Sequence, residues 1–122
     1  MFFGCRSAKS DFIFEEELKH FESTGLLTTL HTAFSRDQAQ KVYVQHRIRE
    51  AGATVARLIL DEGAYVYVCG DGRQMAMDVH TALEDVLQAH GAATLKSEGK
   101  SACDKLAELS NHGVYVRDVW SP

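Results

Sequence analysis

Apolar positions recur along the chain in two alternating rhythms, short β-rich runs and longer stretches at helical spacing. The apolar run Phe2-Phe3-Gly4-Cys5 stops at a turn residue and reads as a buried strand. Ser10 or Asp11 is placed to cap a helix reaching about residue 22, with Phe12, Leu18 and Phe21 among its apolar positions, and Gly25 suits its end. Residues 26–34, rich in Leu and Thr, predict a second strand. Val44, Ile48, Val55, Leu58 and Ile59 share one side of a long helix expected over residues 43–61, broken by Glu62-Gly63. Residues 64–69 (AYVYVC) are β-branched and aromatic, a third strand closed by Gly70-Asp71-Gly72. A helix over residues 74–90 carries Met75, Val79, Leu83, Val86 and Leu87 on one stripe, and Gly91 stops it. The more polar residues 94–110 predict one helix near 101–109, and residues 114–120 a last strand. Strands alternating with helices imply a mostly parallel sheet with helices on both faces.

The chain has 122 residues, enough for one domain. A formal net charge of −4 argues against a nucleic-acid binder, which usually shows a basic face. No apolar run approaches a membrane span, and no signal-peptide pattern opens the sequence. Cys5, Cys69 and Cys103 are odd in number and lack CxxC spacing, so neither a disulfide framework nor a zinc site is indicated. The six histidines do not pair at i,i+4, and no metal site is expected.

In sheets of this kind ligands bind beyond the carboxyl ends of the strands. The residues there are Cys5-Arg6, Ser35-Arg36, Cys69-Gly70-Asp71 and Trp120. The segment from Phe34 to Gln45 is locally basic in an acidic domain. Arg36 can grip a phosphate with two hydrogen bonds, Lys41 adds a mobile charge, Ser35 a hydroxyl, and Tyr43 a face for a flat base. Residues 43–46 also open a helix, whose free N–H groups favour anions. On composition alone a solvated turn accounts for the segment equally well. Gly70 and Gly72 would let a ligand approach the backbone beside Cys69 and Asp71. Taken singly, Cys69 and Cys5 read as small core residues. Asp118 and Trp120 lie two apart on a strand, so their side chains point to one side. Trp120 either closes the core or stacks on a flat ligand.

These segments in this order, Phe3-Gly4-Cys5-Arg6, Phe34-Ser35-Arg36 to Lys41-Val42-Tyr43-Val44-Gln45, Tyr67-Val68-Cys69-Gly70-Asp71 and Asp118-Val119-Trp120-Ser121, resemble the C-terminal NADPH-binding subdomain of diflavin reductases of the cytochrome P-450 reductase family. The resemblance covers nearly the whole chain, and four ordered motifs make it more specific than any single glycine pattern. It implies a Rossmann-like, three-layer α/β sandwich with a mostly parallel sheet, the ferredoxin-NADP reductase-like NADP-binding domain, with residues 1–122 as its C-terminal part. It further implies that Ser35, Arg36, Lys41, Tyr43 and Gln45 hold the 2′-phosphoadenosine of NADPH, Tyr43 against the adenine. Arg6 matches an arginine near the adenosine–pyrophosphate end. Cys69 matches the cysteine beside the nicotinamide, and Asp71 belongs to the same loop. Asp118 matches the acid that, with that cysteine, stabilises the nicotinamide cation. Trp120 matches the aromatic covering the FAD ring. The implied reaction is hydride transfer from NADPH to FAD, then electron transfer through FMN to a haem protein such as a cytochrome P-450; the protein positions and tunes these cofactors. The implied partners are the flavin domains of a longer parent chain and the acceptor protein. The implied location is the cytoplasmic side, at the endoplasmic reticulum membrane for a microsomal parent and in the cytosol for other members. The same module occurs in methionine synthase reductase and in the cytosolic diflavin reductase of iron–sulfur assembly, and a noncatalytic nucleotide-binding domain is the competing class.

Departures from the family matter as well. Its glycine-rich strand–turn–helix before the first strand has no match here, nor do the flavin domains or the serine of its hydride-transfer group, and Pro122 runs past the usual ending. The chain is therefore expected to be part of a longer protein, with no turnover alone. Without the first central strand, two strands would present unpaired edges, so a rearranged or strand-swapped sheet, or self-association, is expected. Sedimentation velocity should show concentration-dependent association; a compact monomer with an unchanged sheet at all concentrations would count against it.

Overall fold

The computed structural model describes residues 1–120, so Ser121 and Pro122, the latter the extension past the family's usual ending, lie outside the described residues. Among them are four strands and six helices, and the chain divides into two compact units, Met1–Arg47 and Ile48–Pro122. Strand pairing is parallel throughout, as the alternating pattern requires. The strands form two separate two-stranded sheets, one in each unit, and not one continuous sheet. The fold class is the expected mixed α/β, with short parallel strands in two small sheets. No helix among the described residues is long and apolar enough to cross a membrane.

In the first unit β1 (Phe2–Cys5) pairs with β2 (His31–Phe34), and Cys5 lies opposite Phe34. Alternation puts Phe3 and Phe34 on one face, where both meet Phe12 at ring distances of 5.2 and 5.5 Å. On the other face Phe2 stacks on His31, and Ala33 is buried. Val44, the first residue of α2 (Val44–Glu50), lies over Gly4 so closely that a Cβ there would stand 2.8 Å from its Cγ1.

Two expectations for this unit change. The second strand shrinks to four residues because β1 offers only four partners, while Glu22 Oε2 accepts the Leu30 N–H at 2.6 Å and holds the preceding segment out of the ladder. The first helix, α1 (Glu15–Ser23), starts later than Ser10 or Asp11 would place it. The Ser10 hydroxyl donates to the Asp11 carboxylate at 3.0 Å, so neither caps, and Phe14 turns the chain at φ 60°.

The second unit holds α3 (Gly52–Leu60), β3 (Val66–Asp71), α4 (Met75–His90), α5 (Ala92–Glu98), α6 (Ala102–Asn111) and β4 (Tyr115–Trp120). The expected stripe of α4 is buried, with Ala76, Val79, Ala82, Leu83, Val86 and Leu87 facing inward. Val68 and Tyr115 are buried on the helix-covered side of β3 and β4, and Leu106 of α6 completes this core. The single long helix expected over residues 43–61 is broken at Ala51 (φ −92°, ψ 20°). Gly52 there packs so tightly that a Cβ would lie 2.8 Å from His90 Nε2.

The polar stretch after Gly91 contains two helices where one was expected. Leu95 is the buried anchor of α5, and Gly99 at φ 67° ends it, its N–H donating to the Lys96 carbonyl. The α6 start is reciprocal: Ser101 Oγ accepts the Asp104 N–H at 3.0 Å and Asp104 Oδ2 accepts the Ser101 N–H at 3.4 Å. Ser101→Ala removes the acceptor and should lower unfolding free energy by about 1 kcal/mol. Urea denaturation at constant m-value checks this.

Candidate functional site

The carboxyl ends of the strands carry the candidate chemistry, and each pair brings its two ends together. In the first unit the ladder continues one step past the strands. The Ser35 N–H donates to the Cys5 carbonyl at 3.0 Å, and the Arg36 N–H donates to the Arg6 carbonyl at 2.8 Å. Arg6 and Arg36 are thereby neighbours across two adjacent loop starts. Arg6, Arg36 and Lys41 are exposed, and among the described residues none of the three is in an ion pair. Ser35 is half-buried and Tyr43 is exposed. Gln45, in contrast, is buried, so its side chain is part of the unit's interior.

Residues that the sequence did not single out hold this segment. Gln38 Nε2 donates to the Phe34 carbonyl at 2.6 Å and to the Gln40 carbonyl at 2.8 Å, folding residues 34–40 into a closed turn. Asp37 Oδ2 accepts the Ala8 N–H at 3.0 Å. His46 Nδ1 accepts the Tyr43 N–H at 2.9 Å, with the two rings 5.8 Å apart. This last bond and that from the His46 N–H to the Tyr43 carbonyl at 3.0 Å use two of the N–H groups expected to be free at residues 43–46. A nearby signal was present in the run Ser35-Arg36-Asp37-Gln38, since Asp and Gln side chains readily bond local backbone.

Cys5 sits half-buried below this edge and donates to the Ser7 carbonyl at 3.6 Å. Burial pushes its thiol up, and the negative charge of Asp11 adds to the rise. That environment disfavours the thiolate and suits a packing role.

In the second unit the register places Cys69 opposite Asp118 and Asp71 opposite Trp120. Paired residues of a parallel ladder share a face, so these four form one group, with Asp118 and Trp120 on the same side as the sequence implied. The face is open: Tyr67, Cys69, Asp118 and Trp120 are all exposed, and Tyr65 stacks beside Tyr67 at 6.4 Å. The loop end is shaped by backbone. Asp71 Oδ1 accepts the Arg73 N–H at 2.8 Å, and the Gly72 N–H donates to the Trp120 carbonyl at 2.7 Å. Gly70 has φ 140°, outside the range of other residues, and a Cβ on it would meet Met75 Cε at 2.6 Å. Of the expected residues, then, Arg6, Ser35 and Arg36 are brought together in one unit, and Cys69, Asp71, Asp118 and Trp120 in the other.

The family model for the oxidoreductase NAD-binding domain matches residues 1–81, and the chain belongs to that family. The match includes Arg6, the segment from Ser35 to Gln45, Cys69 and Asp71. Over 121 residues, 99% of the chain, it is 45% identical to NADPH–cytochrome P450 reductase of Oryctolagus cuniculus and 42% identical to that of Bos taurus. It is also 40% identical over 128 aligned residues to methionine synthase reductase of Rattus norvegicus. The chain spans 17% of the length of the two reductases first named and 18% of the third.

Gly70→Ala forces a side chain into a conformation reserved for glycine and against Met75. It should cost about 1–3 kcal/mol in stability, read as a lower denaturation midpoint, with Gly63→Ala on an open surface as the milder comparison.

Proposed function

We propose that this chain is the NADPH-binding portion of a diflavin reductase, in which the adenosine 2′-phosphate is held by Ser35, Arg36 and Lys41, with Tyr43 completing the adenosine end, the buried Gln45 behind it, and Arg6 serving its pyrophosphate side. The observation that carries this reading is the side-by-side placement of Arg6 and Arg36 at the carboxyl ends of β1 and β2. Two guanidinium groups without an ion pair among the described residues, in a chain of net charge −4, fit a dianionic ligand group. Such a site favours NADPH over NADH, because without the 2′-phosphate Arg36 and Lys41 lose their partner.

When bound in the whole protein, NADPH would supply a hydride to FAD, with FMN passing the electrons on to an acceptor. The residues of this chain position and exclude. Cys69 and Asp118, opposite each other on β3 and β4, offer a thiol and a carboxylate to one face of a flat ring. The carboxylate favours positive charge on that ring. The turn through Gly70 and Gly72 keeps side chains away from the approach, and Asp71 fixes the turn through the Arg73 amide. Trp120 presents an exposed indole, which would cover the flavin ring and move aside for the nicotinamide. The names of the relatives support a haem protein, such as a cytochrome P-450, as the acceptor, reached through an FMN domain. On this reading the activity lies on the cytoplasmic side, at the endoplasmic reticulum membrane for a microsomal parent and in the cytosol otherwise. The methionine synthase reductase match supports a second acceptor class.

Isothermal titration calorimetry should show tighter binding of 2′,5′-ADP than of AMP. Arg36→Ala should weaken 2′,5′-ADP binding by roughly ten- to a hundredfold, the range of one charge-assisted bond, and leave AMP nearly unchanged. Equal affinity of the unaltered chain for the two nucleotides would defeat the assignment. In the flavin-containing parent enzyme, Asp118→Asn should slow flavin reduction in stopped-flow with little change in NADP⁺ affinity.

A further inference from the structure

We propose that Asp37 is a positioning residue for the phosphate grip: its carboxylate clasps the loop after β1 to the loop after β2 and so sets Arg6 and Arg36 side by side. The inference rests on the NADPH reading above and extends it to a residue that touches no ligand.

Asp37 follows Arg36 directly and would be the natural ion-pair partner for either arginine. Instead its Oδ2 accepts the Ala8 N–H at 3.0 Å across a sequence separation of 29 residues. The Ser7 hydroxyl also favours the charged form of the carboxylate. These interactions hold the carboxyl below the ordinary aspartate range, the Ala8 amide most strongly, then the Ser7 hydroxyl, with Lys9 adding a favourable charge. Two consequences follow from the same contacts. The backbone of residues 6–8 is tied to residues 35–37 beyond the last ladder bond, from the Arg36 N–H to the Arg6 carbonyl. The carboxylate is also engaged by the Ala8 amide and forms no ion pair with either arginine among the described residues, which leaves both guanidinium groups available to an incoming phosphate. An acid beside a phosphate site is otherwise unfavourable, since like charges repel; here its use as a clasp accounts for its place.

The test compares the full chain with Asp37→Ala and Asp37→Asn. Asparagine keeps an oxygen able to accept the Ala8 amide and removes only the charge. Titrations with 2′,5′-ADP and with AMP are run on each, and amide hydrogen exchange is followed at Ala8. Asp37→Ala should lose about tenfold in 2′,5′-ADP affinity with AMP unchanged, and Ala8 exchange should accelerate. Asp37→Asn should restore both the preference and the protection. An alanine variant that keeps its 2′,5′-ADP preference overturns the proposal, as does one that weakens both nucleotides equally, which would mark a role in folding alone. An asparagine variant behaving like alanine also overturns it. If the unaltered chain binds the two nucleotides equally, the NADPH reading itself fails, and the Asp37 assignment falls with it.

Discussion

A parallel strand pair delivers the carboxyl ends of both strands to the same edge, and both candidate residue groups of this chain depend on that geometry. Antiparallel pairing would send Arg6 and Arg36 to opposite ends of their pair, and would separate Cys69 from Asp118. The registers do the rest. Cys5 opposite Phe34 makes Arg6 and Ser35 the next residues out, with the Arg36 N–H reaching the Arg6 carbonyl, and Cys69 opposite Asp118 puts thiol and carboxylate on one face. A slip of one residue in either pair would turn one member of each couple to the other side of its sheet.

What holds the registers differs between the two units. In the second unit Val68, Tyr115 and the stripe on α4 bury a continuous apolar core, so β3 and β4 are fixed by packing. In the first unit Ala33 is buried and α1 buries none of its residues. Polar clasps carry more of the load there: the Glu22 carboxylate on Leu30, Asp37 on Ala8, Gln38 on Phe34 and Gln40, and His46 on Tyr43. Hydrogen bonds at exposed positions contribute little net stability. They do give shape, which is what a phosphate grip needs from a loop.

The legible part of the sequence was the part governed by periodicity. The α4 stripe repeats over four turns, and the strand runs are short and β-branched, so their existence and parallel order could be read directly. The candidate residues were legible as strand ends, and their order along the chain carried the family likeness. Features decided by tertiary contacts were not legible. The break at Ala51 exists because Gly52 meets His90, a partner nearly forty residues away. Helix α5 rests on one buried leucine in a polar stretch. The truncated β2 reflects the length of its partner, and the occupied Tyr43 amide depends on which way a histidine ring turns.

The join between α3 and α4 has a further consequence. Gly52 of α3 receives His90 and Val86 of α4, while Gly91, just past the end of α4, receives Leu60 from the end of α3. Each helix thus offers a hollow to the other's bulk, and the two fits are made at opposite ends of α3. A junction matched in this reciprocal way has no single tolerant position. Enlarging Gly52 would require the exposed His90 ring to move or a smaller residue there, whereas a Cβ at Gly91 would also stand 2.9 Å from the Leu87 carbonyl, so a smaller side chain at position 60 alone would not make room for it.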